Sequence, residues 1–232
     1  MFPSSASTSG TYLFNPSLGE ATMNAFSRIQ IRPTEITQSH LFQAKMSANL
    51  LLSEWSNQQP NLWEVGLQTL ALVSGTASYT VSANTVMILD LYVRYGDPST
   101  DRYLMPVSRT EYASFPDKDN EAFPNVYWYD RTISQTVTFY PVPDDNGPYT
   151  AYYYSVRQTQ DIDYTSGQNP EVPYRFYDAY CAGLAWKLSE HYAPQLEDKM
   201  FTRYQRAWSI ATAQDTENVE LYITPGLSGY FR

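Results

Sequence analysis

GTASYTVSANTVMILDLYVR, residues 75–94, decides how the middle of this 232-residue chain folds. SYTV alternates polar with apolar residues, TVMILDLYVR is a longer β-branched run, and SAN between them is turn chemistry. The segment predicts two strands joined as a hairpin, with one buried face and with Asp90, Tyr92 and Arg94 pointing outward. The same period extends on both sides. LWEVGLQTLALV, RYLMPV, NVYWYD, TVTFYPV and YTAYYYSVR are short β-branched and aromatic runs between Leu62 and Arg157, separated by SGT, YGDPST and PDDNGP. A mostly antiparallel β domain over residues 60–160 follows, interrupted by a short helix in SRTEYASF, where Ser108 and Glu111 have the spacing of a capping box. Asp144 and Asp145 ahead of Asn146 and Gly147 read as a hairpin turn between two strands.

Helical periodicity lies on either side of this block. Ser17 is an N-cap candidate for LGEATMNAFSRIQIR, and Pro33 is expected to end that helix. A second helix fits Glu35 to Asn57, with Leu41, Ala44, Ala48, Leu51, Leu52 and Trp55 on one face and Lys45, Ser47, Asn49 and Glu54 mainly on others. After the loop DIDYTSGQNPEVP, Tyr177, Cys181, Leu184, Leu188 and His191 form one stripe, and Pro194 starts a further helix carrying Leu196, Met200, Tyr204, Ala207 and Ala211. The fold class expected is therefore α+β: a helical bundle from residues 17–59 and 172–217, the inserted β domain, and a linker loop at 161–171. Residues 1–16 read as a Ser/Thr-rich arm, flexible unless it docks. Residues 218–232 form an extended tail broken by Pro225, Gly226 and Gly229.

Composition narrows the function. A chain of this length buries roughly 70 % of its unfolded surface and folds on burial alone. Its single cysteine, Cys181, allows no intrachain disulfide. The start, MFPSSASTSG, has neither a basic nor an apolar region, and the longest apolar run, Val86 to Leu89, is too short to cross a bilayer, so a soluble protein without secretion signal or membrane partner is expected. The formal charge of −9 argues against a surface that grips nucleic-acid phosphates, while an acidic wall that DNA slides past remains allowed. The 21 tyrosines suit half-buried strands and subunit interfaces as well as sugar-stacking platforms.

The search for chemistry finds no nucleophile elbow, P-loop, zinc-protease, paired-CxxC or dinucleotide motif, and no cofactor is expected. His40 and His191 sit apart on separate helices, which fits packing or surface roles better than metal ligation. Cys181 on an apolar stripe behaves as a small hydrophobe rather than a nucleophile. Asp161, Asp163 and Glu171 resemble a calcium loop, but Gly167 comes one place late and the acidic terminus one place early. Tyr149, Tyr152, Tyr153 and Tyr154 alternate along one strand, so half of them belong to the core and half to an interface or stacking surface.

GTASYTVSANTVMILDLYVR, RYLMPVSRTEYASFPDK and NVYWYDRTISQTVTFYPVPD, in this order, resemble the adaptor proteins of short-tailed bacteriophages, which sit under the portal ring and receive the tail. The likeness runs over residues 17–217 and is strongest in 75–145. It implies a ring of about twelve copies, a dodecamer, closed by cyclic head-to-tail contacts. It also implies a structural, non-enzymatic virion protein, assembled in the host cytoplasm, whose partners are itself, the portal and the tail nozzle or fibres, with DNA passing through without specific binding. The C-terminal segment is then the portal-docking element, for which Leu221, Tyr222, Ile223, Leu227, Tyr230 and Phe231 supply apolar anchors. Asp90, Tyr92, Arg94 and Arg109 are the expected subunit contacts. The alternative from another class is a carbohydrate-binding or hydrolytic tail module, which needs exposed aromatics beside paired carboxylates.

Overall fold

Helices form where the apolar periodicity places them, with shifted ends. The computed structural model describes residues 11–58, 62–96, 99–164, 167–213 and 215. Helix α1 (Leu18–Arg28) starts on a complete capping box: the Glu20 N–H donates to the Ser17 hydroxyl at 3.3 Å, and the Ser17 N–H donates to the Glu20 carboxylate at 2.8 Å. It closes before Pro33. Gln30 adopts the left-handed region (φ 69°), and the Ile31 N–H turns back to the Phe26 carbonyl at 3.0 Å. Pro33 instead opens a 3-10 turn, Pro33–Glu35, where its fixed φ and missing N–H cost nothing. Helix α2 (Gln38–Gln58) therefore begins at Gln38 rather than Glu35.

Helices α4 (Tyr177–Tyr192) and α5 (Glu197–Thr212) complete the bundle across a short turn at Pro194–Leu196. One core takes Phe26 from α1, Leu51 and Trp55 from α2, Tyr180, Leu184 and Leu188 from α4, and Met200 and Tyr204 from α5. Because α4 packs on α1, α2 and α5, it is buried nearly all round instead of along one stripe. His191, which the repeat assigns to that stripe, is exposed in the last turn. Gly183 permits the crossing: a Cβ there would stand 2.8 Å from Leu51 Cδ2 and 3.1 Å from Tyr204 Cδ2. The Trp55 indole donates to the Tyr204 hydroxyl at 2.9 Å, tying α2 to α5, and burial pushes that phenol up to about 12.

The strands are β1 (Val65–Leu72), β2 (Ser78–Thr80), β3 (Thr85–Tyr95), β4 (Thr100–Tyr103), β5 (Met105–Pro106), β6 (Val126–Asp130), β7 (Thr136–Tyr140) and β8 (Tyr149–Arg157). They form two four-stranded sheets, β1-β8-β3-β4 and β2-β7-β6-β5, antiparallel except for β5 beside β6. Leu91, Val93, Ala151 and Tyr153 from the first sheet and Tyr127, Val137 and Phe139 from the second share one core. The short helix α3 (Arg109–Ser114) starts on Ser108, whose hydroxyl accepts the Glu111 N–H at 3.1 Å.

The 75–94 segment forms two strands but no hairpin. β2 pairs with β7 and β3 with β8 and β4, so Ser82–Asn84 carries the chain from one sheet to the other. Buried Val81 and the turn bond from the Thr85 N–H to the Ser82 carbonyl (2.9 Å) make that corner. The same correction applies at Asp144–Gly147, which joins β7 and β8 of different sheets. There Asp144 accepts the Tyr149 hydroxyl at 2.6 Å and the Asn146 N–H at 3.1 Å, which holds its carboxyl below the ordinary value. RYLMPV likewise splits into β4 and β5 around fully buried Leu104, whose N–H donates to the Leu91 carbonyl at 2.9 Å. Direct hairpins occur at β3–β4 and β6–β7.

Bundle and sandwich meet where the chain crosses between them. Glu64, 1 % exposed, accepts the Thr159 hydroxyl and, at 3.4 Å, that of Ser56 on α2. Arg157 pairs with both oxygens of Glu171, and the Gln160 N–H donates to the same carboxylate at 3.2 Å. Asn49 clamps Ile162 through both of its backbone groups, at 2.9 and 3.0 Å. Burial alone would raise the Glu171 carboxyl, but Arg157 and the Gln160 amide more than offset it and hold it below the ordinary 4.5. A folded-state value below the unfolded one gives stability that is complete above pH about 4.5 and lost as pH falls through the folded value. Glu171→Gln should therefore lower the thermal midpoint near neutrality and flatten its acid limb. Melting followed by ellipticity from about pH 6 to about pH 3 checks this, with the gap between wild type and variant closing toward acid.

Candidate functional site

The outward face of the β1-β8-β3-β4 sheet gathers side chains that are distant in sequence. Along β3, Leu91 and Val93 enter the core, which turns Asp90, Tyr92 and Arg94 to the other face. The register sets Tyr92 opposite Tyr152 on β8 and Tyr103 on β4, and sets Arg94 opposite Thr150 and Asp101. Asp90 lies opposite Tyr154, which pairs on its other side with Leu67 of β1. A tyrosine row thus crosses three strands.

The Tyr92 and Tyr152 rings stack with centroids 5.2 Å apart and planes 5° from parallel. The Arg94 guanidinium sits 4.6 Å from the Tyr152 centroid and forks onto Asp101, with Nε to Oδ1 at 2.6 Å and Nη2 to Oδ2 at 2.7 Å. The forked hydrogen bonds raise the arginine further above its ordinary value and hold the Asp101 carboxyl below its own, so the pair stays ionised. Tyr103 is 53 % and Tyr154 41 % exposed, so two tyrosines of this face are open to solvent. Register shifts between Thr85 and Met87 and between Ile88 and Asp90 insert extra residues in β3, and the second one turns Leu89 outward as well. The face offers stacking surface, two exposed leucines and one matched ion pair, which suits holding a protein surface.

Arg109 does not join this patch. It opens α3, which packs on β6 through Tyr112 stacked on Trp128 (5.3 Å), on the outer side of the opposite sheet. The tail residues Leu221, Tyr222, Ile223, Leu227, Tyr230 and Phe231 lie outside the described residues. Sequence reading missed Tyr103, Leu67 and Leu89 as members of the outward face. Alternation along β3 and β8 is visible in the sequence, but only cross-strand register shows which rows meet.

The remaining candidates have structural partners. The His40 ring accepts the Thr37 N–H at 3.1 Å and packs edge-on against Phe26. Cys181 is buried, and burial pushes its thiol up, which opposes nucleophilic chemistry. In the 161–171 loop, Asp163 pairs with Lys45 at 2.8 Å and Glu171 with Arg157, so the carboxylates turn to separate cations. Among the described residues no three His, Cys, Asp or Glu converge on a metal position, and no helix is long and apolar enough to cross a membrane.

A family model described as SU10 adaptor protein matches residues 34–225, which takes in α2, both sheets, α4 and α5. No curated protein matches the chain.

If the outward tyrosines serve a partner rather than the fold, their loss should leave the isolated chain stable. Tyr103→Ala should change unfolding free energy by within about 0.5 kcal/mol, whereas Leu91→Ala, one residue before Tyr92 but fully buried, should cost about 2–5 kcal/mol. Urea unfolding of the two variants beside wild type separates these roles.

Proposed function

This chain belongs to the SU10 adaptor protein family, phage structural proteins of the virion, and from that premise we propose that it is a head-to-tail adaptor. About twelve copies close into a ring. The ring binds the portal on one side and the tail nozzle or fibres on the other, and the duplex passes through its opening. The helices form the ring and its portal-facing layer, residues 218–232 dock on the portal through Leu221, Tyr222, Ile223, Leu227, Tyr230 and Phe231, and the β sandwich presents the next docking surface. Its work is binding, without catalysis or cofactor, in a particle assembled in the host cytoplasm.

The observation that carries this reading is the family match across 34–225, which spans α2, the sandwich, α4 and α5. The placement of the candidate contacts supports the ring. A closed head-to-tail ring needs two different faces on each copy, one for each neighbour. Asp90, Tyr92 and Arg94 lie on the outer side of one sheet, and Arg109 lies on the outer side of the other. Asp90 and Arg109 are both exposed and opposite in charge, which makes them a candidate pair between copies.

Two experiments test this reading. Purified protein mixed with portal should co-sediment as a ring visible by electron microscopy, and a chain lacking residues 218–232 should keep its circular-dichroism spectrum but lose portal binding; retained binding sinks the tail anchor. In the same portal-bound assay, Asp90→Arg and Arg109→Asp should each weaken ring closure, and the double exchange should recover it. Full rings from both single variants would refute the contact, and a chain that stays monomeric in the assembled particle would refute the ring.

A further inference from the structure

On the helical side, α1, α4 and α5 border a groove of about 400 Å³ lined by Arg28, Asp178, Arg203, Arg206, Ala207 and Ile210. Three arginines converge here in a chain whose formal charge is −9. Asp178 answers Arg28 only, at 2.7 Å. Arg203 and Arg206, exposed and one turn apart on α5, have no hydrogen-bond, ion-pair or ring partner among the described residues. Beside them Ile210 is 60 % exposed, so the groove pairs spare cations with an apolar rim. Such a lining fits a peptide that carries carboxylates among apolar side chains.

A segment of that composition follows α5 directly in the chain. Asp215 pairs with Arg175, whose neighbour three residues on is Asp178 of the groove. The sequence that follows Asp215 is TENVELYI, residues 216–223, with Glu217 and Glu220 among Val219, Leu221 and Ile223, and no basic residue occurs before Arg232. Five extended residues from Asp215 to Glu220 reach up to ~17 Å. The rise along α5 back from its last residue, Thr212, is ~9 Å to Arg206 and ~14 Å to Arg203. Covalent linkage holds the segment at an effective concentration of order millimolar, so a few modest contacts suffice.

We propose that this groove is the seat for the acidic start of the chain's own C-terminal segment, with Glu217 and Glu220 against Arg203 and Arg206 and Val219 between them against Ala207 and Ile210. It operates in the isolated subunit and does not depend on portal docking.

Limited chymotrypsin digestion of the full chain tests the seat, with cleavage beside Leu221 and Tyr222 quantified by mass spectrometry. The wild-type bond should be protected, and Arg203→Glu with Arg206→Glu should speed its cleavage by roughly fivefold while leaving the thermal midpoint in place. Adding Glu217→Arg and Glu220→Arg to that variant should restore the wild-type rate. If charge reversal unfolds α5, Arg203→Gln with Arg206→Gln serves instead, with the same direction expected. Equal cleavage in wild type and the folded arginine variants overturns the proposal. So does wild-type protection that fades on hundredfold dilution, because the segment would then come from a second copy.

Discussion

The antiparallel pairing of β1 with β8, from Val65 opposite Val156 to Leu72 opposite Tyr149, is the constraint on which the architecture depends. An insertion of this size leaves a helical bundle intact only if its two ends return to one place. Pairing its first strand with its last does that and sets α2 beside the segment leading to α4. The polar joint around Glu64, Thr159 and Ser56 sits at this crossing, with Arg157–Glu171 next to it. A buried carboxylate is tolerated there because its Oε1 accepts from two hydroxyls, and losing one of them would leave the other groups buried with less compensation. The joint therefore fixes how the two cores sit together more than it adds net stability.

Much of this was legible in the sequence. The change from a 3.6-residue to a two-residue period near Leu62, and back after Arg157, falls beside the start of β1 at Val65 and the end of β8 at Arg157, because burial on one face imposes those periods. Sheet membership was not legible. SAN between two strands and DDNG between two others carry good turn chemistry, yet each leads from one sheet to the other. Turn residues report that the backbone reverses or bends; whether the next strand pairs with the last or crosses the core is decided by which buried faces, here Val81, Leu104 and Phe139, can meet. Helix ends failed for a related reason. Gln30 ends α1 in a left-handed conformation that no glycine announces, and Pro33 then serves as a helix starter.

The candidate site was half legible. Alternation alone placed Asp90, Tyr92 and Arg94 outward, and they are outward. The residues that make this face a surface come from β1, β4 and β8, and no single-strand pattern joins Tyr103 to Tyr152 or Asp101 to Arg94. On α2 the polar and apolar faces are partly exchanged: Ser47 is buried, while Phe42, Met46 and Leu50 are exposed. A small hydroxyl fits a close helix crossing, and periodicity cannot separate a core stripe from a second apolar stripe facing solvent.

Charge follows from the same placements. Arg28, Lys45, Arg94, Arg157, Arg175 and Lys187 each hold a carboxylate of this chain. Every such pair removes one charge of each sign, so the acidic excess stays on unpaired carboxylates while many cations are bound in place. Tight DNA binding depends on free lysines and arginines displacing counterions from phosphates. A cation already forked onto Asp101 or Glu171 would have to break that contact first. If the proposed ring encloses a duplex, this distribution disfavours holding it. Arg203 and Arg206, two of the arginines without such a partner, line the groove on α5 in the bundle.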